Sequence, residues 1–260
     1  RQAEVMPDLT LGDGTVAYER HGDGAPVVLL HSLGGAGAMW QSTVAALASR
    51  CQVFTLDARG HGESSDDGEI SVDQYARDAI MLVRQLGLRD VRLVGLSMGA
   101  QAAMIAAAEL GDTVVKLVLA DTLLGAGGVG AEERLAVTRA RIAEIGNAAF
   151  AMDYAKSRTL PTTDVTAVAD FAHLVERTLP EIYPRLQYSI ASQSLHATAR
   201  GLKTDTLVLV GDKDISTPPE KAQEIAAAIT GAGLLIVPDA NHLSNLDNPD
   251  FFNEAVARFI

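Results

Sequence analysis

Residues 91–110 read VRLVGLSMGAQAAMIAAAEL, and this stretch decides the fold. Val91–Leu96 is a short apolar run of the kind that suits a strand buried on both faces of a parallel sheet. Met98–Leu110 is Ala-rich and reads as a helix. Between them, Gly95-Leu96-Ser97-Met98-Gly99 fits G-x-S-x-G in the setting that motif needs, a strand turning sharply into a helix. The two glycines let neighbouring chains approach the turn. Ser97 is thereby lifted clear of the sheet at a helix N-terminus, where the helix dipole favours negative charge. Ser97 is the candidate nucleophile.

Working outward, the same alternation repeats. Apolar runs at Val27–Leu30, Val53–Leu56, Val114–Ala120, Thr206–Val210 and Leu234–Val237 read as further strands. Helical spacing follows most of them, at Ala38–Ala48, Val72–Leu86 with Ser71 as N-cap, Pro219–Ile229 and Asp250–Ile260. Thr15–Arg20 reads as an antiparallel strand at the sheet edge. Such alternation predicts an α/β fold with helices on both faces of a mostly parallel sheet. The rhythm breaks from Leu123 to Ala197. Here helical patterns run near Ala131–Ile145, Ala148–Arg158, Val165–Thr178 and Glu181–His196, with no convincing strand. The expected organisation is therefore a core of residues 1–122 and 198–260 with a helical cap of residues 123–197.

Composition limits the function classes. The chain has 260 residues, 48% hydrophobic and 21% charged, enough for one large core and far from disorder. Its net charge of −12 gives no general attraction for nucleic acid or an anionic membrane face. The single cysteine, Cys51, excludes an internal disulfide framework and a Cys-based zinc cluster. No apolar run approaches the roughly 20 residues of a membrane span, and the first ten residues contain no signal-peptide core. A cytoplasmic, membrane-free protein is expected. Gly125-Ala126-Gly127-Gly128-Val129-Gly130 matches the dinucleotide fingerprint G-x-G-x-x-G, but no strand returns for some 75 residues, so a hinge into the cap is the better reading.

A serine nucleophile needs a base and an orienting acid. His242 follows the last strand, in the kind of loop where α/β sheets bind their ligands. His21, His173 and His196 lie outside such loops, whereas His31 and His61 sit in glycine-rich turns and read as structural. Gly211-Asp212-Lys213-Asp214 follows the preceding strand and offers Asp214 as the acid, with Asp212 and Asp121 as the other candidates.

These residues resemble the α/β-hydrolase superfamily over essentially the whole chain. His31-Ser32-Leu33-Gly34-Gly35 is similar to its oxyanion turn, with Ser32 where glycine is usual. Asp57-Ala58-Arg59-Gly60-His61-Gly62-Glu63-Ser64 is similar to its D-x-R-G-x-G-x-S segment. The order Ser97, Asp214, His242 is the order expected of that family. The resemblance implies an eight-stranded, mostly parallel sheet with a helical cap, and an oxyanion hole from the backbone N–H groups of Leu33 and Met98. Within the superfamily, HSLGG, GLSMGA, GDKDISTPPE and NHLSNLDNPDFFN are most similar to 3-oxoadipate enol-lactonases. That implies a serine hydrolase acting on a small ester or lactone, with or without a carboxylate, and no metal or organic cofactor. A carboxylesterase, a perhydrolase-like enzyme, a C–C bond hydrolase and a non-catalytic receptor are the alternatives. Those lactonases hold the substrate carboxylate with a cap tryptophan and arginine. Here the one tryptophan, Trp40, lies in the core segment, and the cap's first helix offers Arg134, Arg139 and Arg141. Arg134, Arg139 and Trp40 are the candidate substrate contacts. The cap carries eight acids and seven bases, so nearly all of the −12 belongs to the rest of the chain.

Overall fold

The structure, a computed structural model, describes residues 4–5, 9–11, 14–178 and 180–260. Among the described residues, ten strands form two sheets. The main sheet has eight strands, in the order β1 (Glu4–Val5), β4 (Tyr18–His21), β6 (Cys51–Leu56), β5 (Ala25–Leu30), β7 (Val91–Leu96), β8 (Val114–Ala120), β9 (Asp205–Gly211) and β10 (Gly233–Val237). From β6 to β10 every pairing is parallel; β1 and β4 run antiparallel at one end. β2 (Leu9–Leu11) and β3 (Gly14–Val16) make a small antiparallel hairpin. The expected edge strand over residues 15–20 is thus two strands in different sheets. Its two halves pair with different partners, which hydrophobic alternation alone does not specify.

The inner strands are buried on both faces. In β5, β6 and β7 the last four residues are all buried, as near-continuous Val and Leu runs require. A fully buried Val or Leu stabilises the fold by roughly 1.5–3 kcal/mol, so this central slab is the main source of stability. Flanking helices are α1 (Gln41–Leu47), α2 (Val72–Gln85), α3 (Met98–Leu110), α9 (Pro219–Ala228), α10 (Ser244–Asp247) and α11 (Pro249–Phe259). Ser71 caps α2 by accepting from the Gln74 N–H. α3 is buried almost all round, which explains why small alanines fill it: they allow α2 and the sheet to pack closely.

Between β8 and β9 lie α4 (Ala131–Ile145), α5 (Asn147–Arg158), α6 (Val165–Arg177), α7 (Ile182–Ser192) and α8 (His196–Gly201). The pattern read as one helix over 181–196 is two: the chain leaves α7 at Gln193 in extended backbone and re-enters a helix at His196. α8 packs on α3 and α9 of the sheet layer, so the expected boundary at 197 falls inside a helix of that layer. The fingerprint-like glycine turn is tied down. Gly127 and Gly128 donate their N–H groups to Gln193 and Ala191 at the end of α7, so those amides face a helix end and not a phosphate.

Candidate active site

Ser97 sits where β7 becomes α3, with φ 55° and ψ −112°. A non-glycine residue held there costs about 1–3 kcal/mol, which the surroundings must offset. They do so with the Ser97 N–H donating to Ala120 O at 2.8 Å and the Thr122 hydroxyl donating to Ser97 O at 2.9 Å. Both glycines of the turn are required sterically. A Cβ at Gly95 would lie 2.3 Å from Gly99 O, and one at Gly99 would lie 2.0 Å from Leu30 O. The start of α3 is therefore pressed against the end of β5, where the His31–Gly35 turn begins.

Residues from three segments distant in sequence meet at the carboxyl ends of the parallel strands. His242 Nε2 lies 3.0 Å from Ser97 Oγ, and His242 Nδ1 lies 2.9 Å from Asp214 Oδ2. Thr217, which the sequence reading passed over, donates its hydroxyl to Asp214 Oδ2 at 2.6 Å. Asp214 Oδ1 accepts from the N–H groups of Ser216 and Thr217 at 2.7 and 2.9 Å. A carboxylate with this many donors stays ionised. Burial pushes Asp214 up, but its hydrogen bond to His242, the His242 charge and the Thr217 donors outweigh that and hold it at about 2. When the His242 ring is neutral, an ionised Asp214 facing Nδ1 keeps its one proton on Nδ1, which leaves the Nε2 lone pair facing Ser97. An Asp with Ser or Thr three residues on, in a turn, is the local signal that marks Thr217.

The other acids are elsewhere engaged. Asp212 accepts from the Ala240 N–H at 3.0 Å. Asp121 is fully buried, accepts from the Gly211 N–H at 2.9 Å and pairs with the Ser244 hydroxyl at 2.5 Å. Burial, together with the nearby Asp214 charge, pushes the Asp121 carboxyl well above its usual range.

The His31–Gly35 turn is held by two buried imidazoles. His31 Nε2 accepts from the Ala58 N–H at 2.9 Å, so its proton sits on Nδ1, 2.8 Å from Ser32 O. Ser32 O also accepts from the Gly35 N–H at 2.9 Å. Because the peptide is planar and trans, fixing that carbonyl fixes the Leu33 N–H in the opposite direction. His61 Nε2 accepts from the next amide, Gly34 N–H, at 3.1 Å. Burial lowers His31 to about 4, and burial with the neighbouring His31 lowers His61 to about 3, so both rings are neutral. The rest of the Asp57–Ser64 segment is scaffolding too. Arg59 makes a buried two-point pair with Asp78, Nε to Oδ2 and Nη2 to Oδ1, each at 3.0 Å.

The expected substrate contacts are not brought to Ser97. Trp40 is 0% exposed and packs on Phe252 with ring centroids 6.1 Å apart, so it offers no surface to a substrate. Its position after β5, under α11, makes it core. Arg134 turns back to donate to Val129 O at 2.7 Å. Arg139 lines a cavity of about 540 Å³ with Glu69, Asp73, Glu132 and Arg185, whose lining includes none of Ser97, Asp214 and His242. The arginine beside the site is Arg158 at the end of α5, stacked 4.8 Å over the Tyr154 ring and bonded to Ser216 Oγ. Helical position alone does not distinguish it from the others. Among the described residues, no group of three or more His, Cys, Asp or Glu side chains is arranged to hold a metal ion, and no helix is long and apolar enough to cross a membrane.

The model of the alpha/beta hydrolase family matches residues 27–255. Among curated proteins, the chain is 29% identical to BpoC of Mycobacterium tuberculosis, whose name assigns it provisionally to the non-heme bromoperoxidases, over 94% of this chain and 97% of that one. It is 25% identical to 3-oxoadipate enol-lactonase 2 of Acinetobacter baylyi, over 95% and 94%. Among solved structures, the enol-lactonase from Burkholderia xenovorans LB400 superposes with a TM-score of 0.88 at 28% identity, covering 97% of this chain and 99% of that one. With the G-x-S-x-G elbow, the mostly parallel sheet and a family match across most of its length, the chain belongs to the alpha/beta hydrolase family.

Proposed function

We propose that the protein is a serine hydrolase that cleaves a small ester or lactone through an acyl-enzyme. The observation that carries this reading is the line Ser97 Oγ, His242 Nε2, His242 Nδ1, Asp214 Oδ2, with contacts of 3.0 and 2.9 Å. His242 takes the Ser97 proton as Oγ attacks the carbonyl, and Asp214 steadies the imidazolium that forms. The oxyanion is held by the N–H groups of Leu33 and Met98. Met98 supplies the first amide of α3, at a helix start whose N-cap makes no side-chain hydrogen bond. The Leu33 N–H is aimed by the two-donor grip on Ser32 O. His242 then gives its proton to the leaving oxygen, and a water activated by His242 releases the acid.

Likeness to enol-lactonases in sequence and structure supports an enol-lactone as the preferred substrate. Its leaving group is an enol, easier to expel than an alkoxide and still tethered to the acyl chain. The named likeness to bromoperoxidases favours one further outcome, in which hydrogen peroxide replaces water as acyl acceptor and a peracid leaves. Helices α4–α7 are read as a cap that shapes the pocket.

The test is covalent. A fluorophosphonate should label the wild-type protein at Ser97, and Ser97→Ala should lose both labelling and p-nitrophenyl acetate turnover while melting like the wild type. Turnover by Ser97→Ala within about tenfold of wild type would end the reading, because a lost nucleophile costs far more. Comparing an enol-lactone with simple p-nitrophenyl esters tests the substrate class.

A further inference from the structure

The last two residues of α5 and the turn that follows, residues 157–163, belong to the helical insertion, yet this segment touches both loops of the site. On the histidine side, Asn241 and Leu243 flank His242. The Leu243 N–H donates to Arg158 O at 3.0 Å, and Asn241 Nδ2 donates to Ser157 O and Thr159 O at 3.3 and 3.4 Å. On the acid side, Arg158 bonds to Ser216 Oγ, and the Ile215 N–H donates to Asn241 Oδ1 at 3.4 Å. Asp247 closes the loop. Its Oδ2 accepts from the Asn241 N–H at 2.7 Å, while its Oδ1 accepts from the Leu160 N–H at 3.0 Å and from the Thr163 hydroxyl. Asn241 is 6% exposed and Asn241 Oδ1 and Nδ2 are both used.

We propose that residues 157–163 act as a strap that sets His242 in register with Asp214, with Asn241 and Asp247 as positioning residues. The sheet alone does not do this. Asp214 and His242 lie on loops after separate strands, and the imidazole is flanked by two ties to the insertion, the Leu243 N–H on one side and the Asn241 side-chain amide on the other. Each tie is a single hydrogen bond worth about 1 kcal/mol, but they act on one short loop. A displacement of about 1 Å at a reacting group costs roughly a hundredfold in rate. It follows that the insertion does not swing at this end without pulling His242 from Ser97. The functional consequence rests on the serine hydrolase reading; the positional one does not.

Two readouts keep those apart. First, the proton on His242 Nδ1, shared with Asp214, should give a low-field proton resonance that exchanges slowly in the wild type. In Asn241→Ala this resonance should shift or broaden and exchange roughly tenfold faster or more, with the circular dichroism spectrum unchanged. An unaltered resonance overturns the proposal, whatever the activity. Second, with p-nitrophenyl acetate, Asn241→Ala and Asp247→Ala should each lower kcat by roughly tenfold to a hundredfold with KM within about twofold. The double variant should lose little more than the worse single one, because both act through one strap. Additive losses, or losses in KM alone, overturn it. If Asp247→Ala does not fold, Asn241→Asp replaces it: it keeps the acceptor for Ile215, removes the donors to Ser157 and Thr159, and should still lower kcat. Wild-type protein that fluorophosphonate does not label defeats the hydrolase reading and leaves the resonance to decide the strap.

Discussion

Lowering the pH from 7.5 to 5.0 should remove part of the stability that His31 and His61 contribute. In the unfolded chain both rings titrate near 6.5. In the folded protein His31 is lowered to about 4 and His61 to about 3, chiefly by burial, and both nitrogens of each ring are spent on hydrogen bonds that need the neutral form. The unfolded state therefore binds more protons below 6.5. The stabilisation is whole above that value and is lost as pH falls towards 4 and 3. At pH 5 the linkage relation gives about 2 kcal/mol for each ring, or about 4 kcal/mol together, against a typical total of roughly 5–15 kcal/mol. Asp57, Asp121 and Asp247, raised mainly by burial, push the other way over the same range. The decisive quantity is thus a difference between proteins. His61→Gln should cost about 1–3 kcal/mol at pH 7.5, from the disturbed Gly34 N–H, and the gap to wild type should shrink by about 2 kcal/mol at pH 5.0. Urea unfolding at both pH values measures it, with unchanged m-values. If wild type and variant lose equal stability between pH 7.5 and 5.0, the neutral, buried His61 is wrong. The same variant should slow fluorophosphonate labelling at pH 7.5, since Gly34 adjoins the Leu33 donor.

Two further outcomes follow from the site. Asp214→Asn should keep the fold but lower kcat by about four orders of magnitude, because an amide no longer enforces the Nδ1–H tautomer; steady-state kinetics on an activated ester checks it, and a loss under tenfold counts against Asp214 as the acid. In the wild type, Asp214 at about 2 should leave the acid ionised throughout the working range, so no activity loss above pH 4 should trace to its protonation. Gly99→Ala puts a Cβ 2.0 Å from Leu30 O, a backbone atom that cannot rotate away. It should cost about 1–3 kcal/mol or more and lower the melting temperature by several degrees; a variant that melts with wild type would mean that α3 and β5 are not so closely pressed.

The periodic parts of the fold are legible because they are local. A strand buried on both faces must be apolar throughout, so the runs ending at Leu30, Leu56, Leu96 and Ala120 announce themselves, and α3 and α4 match their sequence patterns end to end. The elbow is legible for the same reason: five consecutive residues carry its steric demands. Short or interrupted pieces are less so. α10 has four residues, too few for a period, and the split of residues 14–21 between two sheets depends on partners far along the chain.

By itself the sequence determined the class of fold, the place of Ser97 and the set of acids and histidines that could serve it. Tertiary structure set their distances and partners. Ser97 and His242 are 145 positions apart, and the sequence preferred Asp214 to Asp121 only by its place in the turn a few residues past a strand. The difference is made by neighbours: Asp214 faces His242 and three further donors, while Asp121 faces Ser244 and Gly211. The same holds for Trp40, drawn under α11 by apolar packing, and for Arg158, which alone of the insertion's arginines is brought over Tyr154 to the Asp214 turn. Hydrogen bonds and burial act over a few ångströms, and only the folded chain says which residues those ångströms contain.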